Sequence, residues 1–351
     1  MLDFCLNIPA KGYFFLPCQN IMGVAMDLLW LSEDDVRSLL NMDDAIAAVE
    51  NAFRDHGLGK TQMPPKSYLY FSKYDGDLRT MPAYLEGLDS AGVKIVNVHP
   101  ENRDIGMPTV MALFVLNSPE TGAPLAVMGA TYLTSMRTGA AGGIAAKYLA
   151  RPESKVVGMV GAGAQARTQL MALHRFFEID LVIVYDRSIE SCRAFEREAR
   201  AFLECDYKLT TNPQDACDCD ILVTTTPVRS PIVKDAWVKP GTHINAIGAD
   251  AKGKQELETA LTRRAKIVVD DAAQAIHSGE VNVPISEGKL KPEEIYAQIG
   301  EIVAGKVHGR TGKDEITIFD STGLAIQDVA SGRIVYETAL KSSKGLRLKL
   351  M

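Results

Sequence analysis

Cysteine is scarce in this chain. Six in 351 residues are too few for a disulfide framework in a protein of this size. Cys217-Asp218-Cys219 lacks the second ligand pair that a zinc site needs, and no histidine lies close by in sequence. It reads as two half-buried thiols in a reducing cytoplasm, and no metal is expected. Basic excess is lacking as well. The 38 Lys and Arg face 44 Asp and Glu, a net charge of −6, without the clustered cations that a nucleic-acid or membrane surface requires. There is no internal repeat and no low-complexity tract. Residues 1–21 are fairly apolar, but no basic segment opens them, and Asp3, Lys11 and two prolines interrupt them. That argues against a signal peptide or a membrane span. We read residues 1–25 as a disordered or artefactual extension ahead of a domain that starts near Met26. What remains is ordinary globular composition, 46% hydrophobic and 23% charged, long enough for two domains with separate cores.

The most informative stretch is Val156-Val157-Gly158-Met159-Val160-Gly161-Ala162-Gly163-Ala164-Gln165-Ala166. It reads as a buried strand, a glycine turn and a helix start. Gly161 permits the tight turn, Gly163 has no Cβ to block a pyrophosphate, and Ala166 is the small residue that lets helix and strand pack closely. The N–H groups of Ala164 and Gln165 open a helix whose positive end favours phosphate. Alone, the pattern is weak, because glycine turns between strand and helix are common. A helical stretch over 165–177 and a second apolar run, Leu181-Val182-Ile183-Val184-Tyr185, strengthen it, because that run ends in Asp186. An acidic residue about 20 positions past the last small residue is where a dinucleotide fingerprint places its ribose ligand. Asp186 favours NAD by accepting from both ribose hydroxyls. Arg187 is the one contrary sign, since a neighbouring Arg can hold the 2′-phosphate of NADP.

Ahead of this unit, Ser32-Glu33-Asp34-Asp35 signals a helix start with an acidic first turn. A second helix is expected from about Asp43. Strand-like pieces follow at 66–71, 77–81, 91–97, 109–116 and 125–128, which makes this half α+β with a mostly antiparallel sheet. The helix expected over 131–149 carries Gly139-Ala140-Ala141-Gly142-Gly143; so many small residues imply very close packing against another backbone. From Lys155 to Asp320 strands and helices alternate, with strands at 221–226, 243–248, 266–270 and, last, 316–320. That repetition calls for an α/β, Rossmann-type parallel sheet covered on both faces. A helix over 324–340 then returns to the first half.

Three features carry chemistry. Lys94 and Arg79 each sit in a strand-like, apolar context, where a lone charge commonly points to solvent. If both face inward, they form a clamp for a carboxylate, with Arg offering bidentate hydrogen bonds and Lys a point charge. Arg137 lies on the small-residue helix, near the cofactor side or on a solvated face. Asp250 follows a strand at its C-terminal end, where open α/β sheets bind ligands. It is a natural general base or water-orienting group there, or a plain helix cap.

With these residues in view the chain resembles the ornithine cyclodeaminase/μ-crystallin family, and within it the archaeal alanine dehydrogenases. The shared stretches include Gln62-Met63-Pro64-Pro65-Lys66, Leu78-Arg79-Thr80-Met81-Pro82, Thr134-Ser135-Met136-Arg137-Thr138-Gly139, Gly248-Ala249-Asp250 with Lys254-Gln255-Glu256-Leu257, and Phe319-Asp320-Ser321-Thr322-Gly323. The resemblance implies a discontinuous substrate-binding and dimerisation domain, 26–150 with 321–351, and an inserted NAD-binding domain, 151–320. It also implies a homodimer formed through the first domain's sheet. It puts Arg79 and Lys94 on a substrate carboxylate, Lys94 also as proton donor or acceptor. Arg137 falls beside cofactor and substrate, and Asp250 at the catalytic carboxylate. Gly163, Ala164, Asp186, Thr225, Ile247, Lys254 and Ser321 fall at cofactor-contacting positions. The expected reaction is reversible NAD-dependent deamination of L-alanine to pyruvate and ammonia. Ornithine cyclodeamination is the alternative, with Glu86 the one acid considered for a distal ammonium. A binding protein with little turnover is the third reading.

Overall fold

A computed structural model describes residues 27–350; the expected extension at 1–25 lies outside the described residues. The chain forms two sheets of eight strands each. In the first, the order is Leu346–Lys349, Asp27–Leu31, Pro124–Gly129, Val110–Asn117, Ser90–Val98, Gly76–Leu85 and Thr61–Gln62, with Ser67–Phe71 also against Gly76–Leu85. Every pairing is antiparallel except Asp27–Leu31 with Pro124–Gly129. Arg79, Met81, Ala83 and Leu85 are buried, while Thr80, Pro82 and Tyr84 between them are not. That period of two marks a sheet with one covered face. Pro82 has no N–H for a ladder. It lies where neither Thr61–Gln62 nor Ser67–Phe71 pairs with its strand, so nothing is left unsatisfied.

Helix Ala325–Ser342 lies across the covered face, with Met42–Gly57 and Thr131–Leu149 beside it. Ser32 caps the first helix, Glu33–Leu39, in a capping box with Asp35. Glu33 serves a different helix: its carboxylate accepts Thr131 N at 2.6 Å and Tyr132 N at 3.1 Å. It thereby caps Thr131–Leu149, whose own N-cap, Ala130, has no side chain to offer.

The second sheet is entirely parallel, in the order Asp206–Thr210, Leu181–Tyr185, Val156–Val160, Ile221–Thr224, His243–Ala246, Thr317–Asp320, Lys266–Val269 and Ala297–Gln298. The chain winds outward in one direction from Val156–Val160, then returns to build in the other. The reversal opens a crevice at the C-terminal ends of Val156–Val160 and Ile221–Thr224, where such sheets bind ligands.

Thr131–Leu149 joins the two layers. A Cβ on Gly139 would lie 2.4 Å from Thr168 O, and one on Gly142 would lie 1.9 Å from Gln169 Oε1. The small-residue run therefore does bring two helices into backbone contact, against Ala164–Leu173. Three expectations need correction. The strand Thr317–Asp320 is not the last, because Leu346–Lys349 adds an edge strand to the first sheet; its side chains are all exposed, so no buried face announces it. The helix after the glycine turn ends at Leu173, four residues short of Phe177. Cys217 and Cys219 are buried rather than half-buried, packed in the apolar layer beside Leu222 and Ile244. Among the described residues no helix is long and apolar enough to cross a membrane.

The helix contact sets a stability prediction. Gly139→Ala must push two helices apart, and is expected to destabilise the fold by about 1–3 kcal/mol in urea unfolding. An unchanged midpoint would mean that this contact is slack.

Candidate active site

The crevice is built from the glycine turn. Gly161 has φ of +103°, a conformation that L side chains avoid. A Cβ there would also lie 2.7 Å from Thr225 Oγ1. Its N–H donates to Tyr185 O at 2.9 Å, tying the turn to the next strand. Gly163 is the N-cap of Ala164–Leu173 and supplies no side-chain cap. The first-turn N–H groups and the positive helix end are thus free for an anion. A Cβ on Gly163 would meet nothing within 4 Å, so the ground beside it is open. Ala166 is fully buried, as close helix–strand packing demands.

Asp186, at the end of Leu181–Tyr185, accepts Ala162 N at 3.1 Å and Ser188 N at 3.0 Å; Arg187 is exposed. Ile247 and Ser321 continue the ladders beyond their strands, through Ile247 N to Thr224 O and Ser321 N to Ala246 O. Gln165 Oε1 and Ser321 Oγ are buried and find no hydrogen-bond partner among the described residues. An open glycine cradle, an uncapped helix and two orphaned polar atoms along one edge fit a bound dinucleotide.

The cations arrive from the other sheet. Arg79 is 5% exposed and Lys94 0%, so neither points to solvent. Arg79 pairs in register with Val96, and Lys94 with Met81, which makes the two cations diagonal neighbours on the covered face. Arg79 donates from Nε and Nη2 to both oxygens of Asp77, and from Nη1 to Asp250 Oδ2, each at 2.9 Å. Burial opposes its charge, but Asp250 and Asp77 outweigh burial and raise its pKa. Lys94 Nζ donates to Asp328 Oδ1 at 2.7 Å, and Arg137 Nε donates to the same oxygen at 3.0 Å. Arg137 Nη1 donates to Gln327 Oε1 at 2.7 Å; Arg137 is buried, not on a solvated face. Burial first and Arg137 second pull the Lys94 ammonium down to about 7, against the support of Asp328.

Asp250 caps no helix. Its Oδ2 takes Arg79, and its Oδ1 takes Lys254 Nζ at 2.5 Å. Burial raises its pKa, yet Lys254 and Arg79 prevail and hold it well below the usual carboxylate range. Lys254 thus meets Asp250 within the site.

Sequence reasoning assigned no role to Lys66 or Asp328. Lys66 Nζ donates to Thr322 O, and burial brings its ammonium down to about 8, with Asp270 resisting and Arg79 adding to the fall. Asp328 left one signal, an acid in the first turn of a helix among the apolar Ala325, Ile326, Val329 and Ala330. Glu86 stays out of the site. It is exposed, seven positions along the chain from Arg79, or about 23 Å at strand spacing. Four cations from separate elements, Lys66, Arg79, Lys94 and Arg137, therefore surround a region bordered by Asp250. Such a cluster can neutralise a carboxylate and hold its neighbouring carbon beside a dinucleotide.

Comparison with known proteins follows the same lines. The family model of the ornithine cyclodeaminase/mu-crystallin family matches residues 26–343. An alanine dehydrogenase of Archaeoglobus fulgidus is 56% identical over 329 residues, 92% of this chain and 99% of that protein. A solved archaeal alanine dehydrogenase dimer with bound NAD superposes with a TM-score of 0.90 at 55% identity, covering 93% of this chain and all of that one. The Thermococcus litoralis Δ1-pyrroline-2-carboxylate reductase, solved with NADH and L-proline, gives 0.89 at 39% identity over 92% of this chain and all of its own.

The two turn glycines make separable predictions. Gly163→Ala has room, so unfolding free energy should stay within about 0.5 kcal/mol, while NADH affinity by fluorescence titration drops at least about tenfold, as the new Cβ holds the pyrophosphate off about one backbone hydrogen bond. Gly161→Ala should lose stability as well, by about 1–3 kcal/mol. Full NADH affinity in Gly163→Ala would remove this turn from the pyrophosphate seat.

Proposed function

The chain belongs to the ornithine cyclodeaminase/mu-crystallin family, and from that premise we propose that it is an NAD-dependent enzyme deaminating L-alanine reversibly to pyruvate and ammonia. The observation that carries this reading is the pair of inward-facing, diagonally adjacent cations, Arg79 and Lys94, the first of which meets Asp250 at the dinucleotide edge. The identity to an alanine dehydrogenase over nearly all of both chains supports the choice of substrate. In the same reading the first sheet, with residues 26–150 and 321–351, binds substrate, and 151–320 is the inserted NAD-binding unit. The outer face of that first sheet carries Leu113, 43% exposed, among the half-buried Val93, Ile95 and Val115. That apolar surface suits a homodimer. Free cysteines suit a cytoplasmic setting.

Bound NAD supplies the two-electron redox chemistry; the residues of this chain do the rest. An incoming carboxylate competes with Asp250 for Arg79 Nη1. Once it takes that donor, Asp250 loses one of the two cations that suppress its basicity, and its free oxygen turns toward the amino group or a water. Lys94, poised near neutrality, is the better proton acceptor in the resting site, because a base works best with a pKa near the working pH. Asp250 then serves chiefly to orient and to stabilise developing positive charge. Lys66 and Arg137 add to the positive field around the carboxylate. Ornithine chemistry needs an acid for the distal ammonium, and the exposure of Glu86 favours the smaller substrate.

Two experiments test this. With NAD, the protein is expected to form NADH from L-alanine, and with NADH to consume pyruvate plus ammonium. Proline and ammonia from L-ornithine without net NADH would overturn the substrate assignment, and NADH binding with no turnover would leave a binding protein. The pH profile of alanine oxidation should rise through an ionisation near 7, as Lys94 loses its proton. Asp328→Asn removes the anion that supports the ammonium, so this ionisation should move to lower pH. An ionisation that stays in place in Asp328→Asn would take Lys94 out of the proton transfer.

A further inference from the structure

Glu256 belongs to the Lys254-Gln255-Glu256-Leu257 run, and no step above uses it. It is fully buried, and no hydrogen bond or ion pair joins it to a cation among the described residues. Burying an anion this way is expensive unless something specific compensates. Four donors do so. Oε1 accepts Thr226 N and Thr226 Oγ1, each at 2.6 Å; Oε2 accepts Thr224 Oγ1 at 2.7 Å and Gly248 N at 2.8 Å. A carboxylate has about four lone-pair sites, and all of them are occupied.

The donors come from two places: the end of strand Ile221–Thr224 with the loop that follows it, and the loop after His243–Ala246. Thr224 and Thr226 flank Thr225, which abuts the glycine turn at Gly161. Gly248 lies between Ile247 and Asp250. The loops touch so closely that a Cβ on Gly248 would lie 2.2 Å from Thr226 O and 2.7 Å from Glu256 Cδ. A second buried acid fixes Glu256 from behind: Glu280 accepts Glu256 N at 3.0 and 3.1 Å and Leu257 N at 2.7 Å. Burial raises the pKa of Glu256, and its four donors resist that rise. One side chain thus connects the dinucleotide turn, through Thr225, to the loop that presents Asp250.

We propose that Glu256 is a positioning residue that locks the dinucleotide seat and the Asp250 carboxylate into one fixed geometry, so that cofactor and catalytic group keep a set separation. This rests on the reading of Asp250 given above. Glutamine cannot replace it. Its amide offers one acceptor oxygen, and its NH2 would face either Thr226 N or Gly248 N. Hydroxyls can turn to accept; a backbone N–H cannot.

The test compares wild type with Glu256→Gln by hydrogen–deuterium exchange, NADH titration and steady-state kinetics. Exchange is expected to quicken in the segments 224–228 and 246–252 together, and kcat to fall roughly 10- to 100-fold, the consequence of one unsatisfied buried N–H. KM for the amino acid should change less than about threefold, because Arg79 and Lys94 stand on the other sheet. Thr224→Val removes a single donor with no loss of volume, and covers the case in which the Gln variant does not fold. It should loosen 246–252 as well as the loop that follows Thr224, and weaken NADH binding. Wild-type exchange in 246–252 for the variant that folds, or a kcat of wild-type size in Glu256→Gln, would overturn the proposal. Exchange and NADH binding need no amino acid, so they are read even if alanine proves not to be the substrate.

Discussion

The pair between Arg79 and Asp250 joins residues 171 positions apart, one on the antiparallel sheet and one on a loop of the parallel sheet. It is the middle of a longer alternation, Asp77, Arg79, Asp250, Lys254, in which each inner charge touches two of opposite sign. Arg79 is the buried member, the other three being half-buried, and a buried charge stripped of its partners is strongly destabilising. A ligand that displaces one member must bring the same charge. A carboxylate does so at Arg79, and it restores the alternation while freeing Asp250 to act. On the proposed function, selectivity for a carboxylate and activation of Asp250 would both follow from one exchange of partners.

The second network does different work with the same materials. Asp328 is shared by Lys94 and Arg137, so a single anion supports two cations. The shortage of negative charge, together with burial, is what brings Lys94 near neutrality instead of leaving it a permanent cation. The helix that carries Asp328, Ala325–Ser342, returns from the far end of the chain onto the first sheet. Tuning Lys94 therefore requires the chain to be complete through that helix. Arg79, with two carboxylates, stays charged; Lys94, with a share in one, can exchange a proton.

Much of this was legible in the sequence where the signal is local. The glycine turn and Asp186 lie within one strand–helix–strand unit, and the apolar, strand-like context around Lys94 and Arg79 identified strands whose inward positions the structure fills with these cations. The run Gly139–Gly143 announced a close helix contact because only absent side chains permit one. What escaped was relational. Asp328 meets Lys94 across 234 positions, and nothing near either residue names the other. Lys66 reaches a carbonyl 256 positions away. Glu256 looked like any acid before an apolar residue until two loops folded onto it. The edge strand Leu346–Lys349 buries no face, so periodicity carried no sign of it.

The measurement closest to the central claim is a crystal structure of the protein with NAD and pyruvate. The account predicts the pyruvate carboxylate on Arg79 Nη1 and within hydrogen-bonding reach of Lys94, its carbonyl carbon against the nicotinamide, and Asp250 no longer held by Arg79. Pyruvate bound elsewhere, with the Arg79–Asp250 pair still closed, would contradict it.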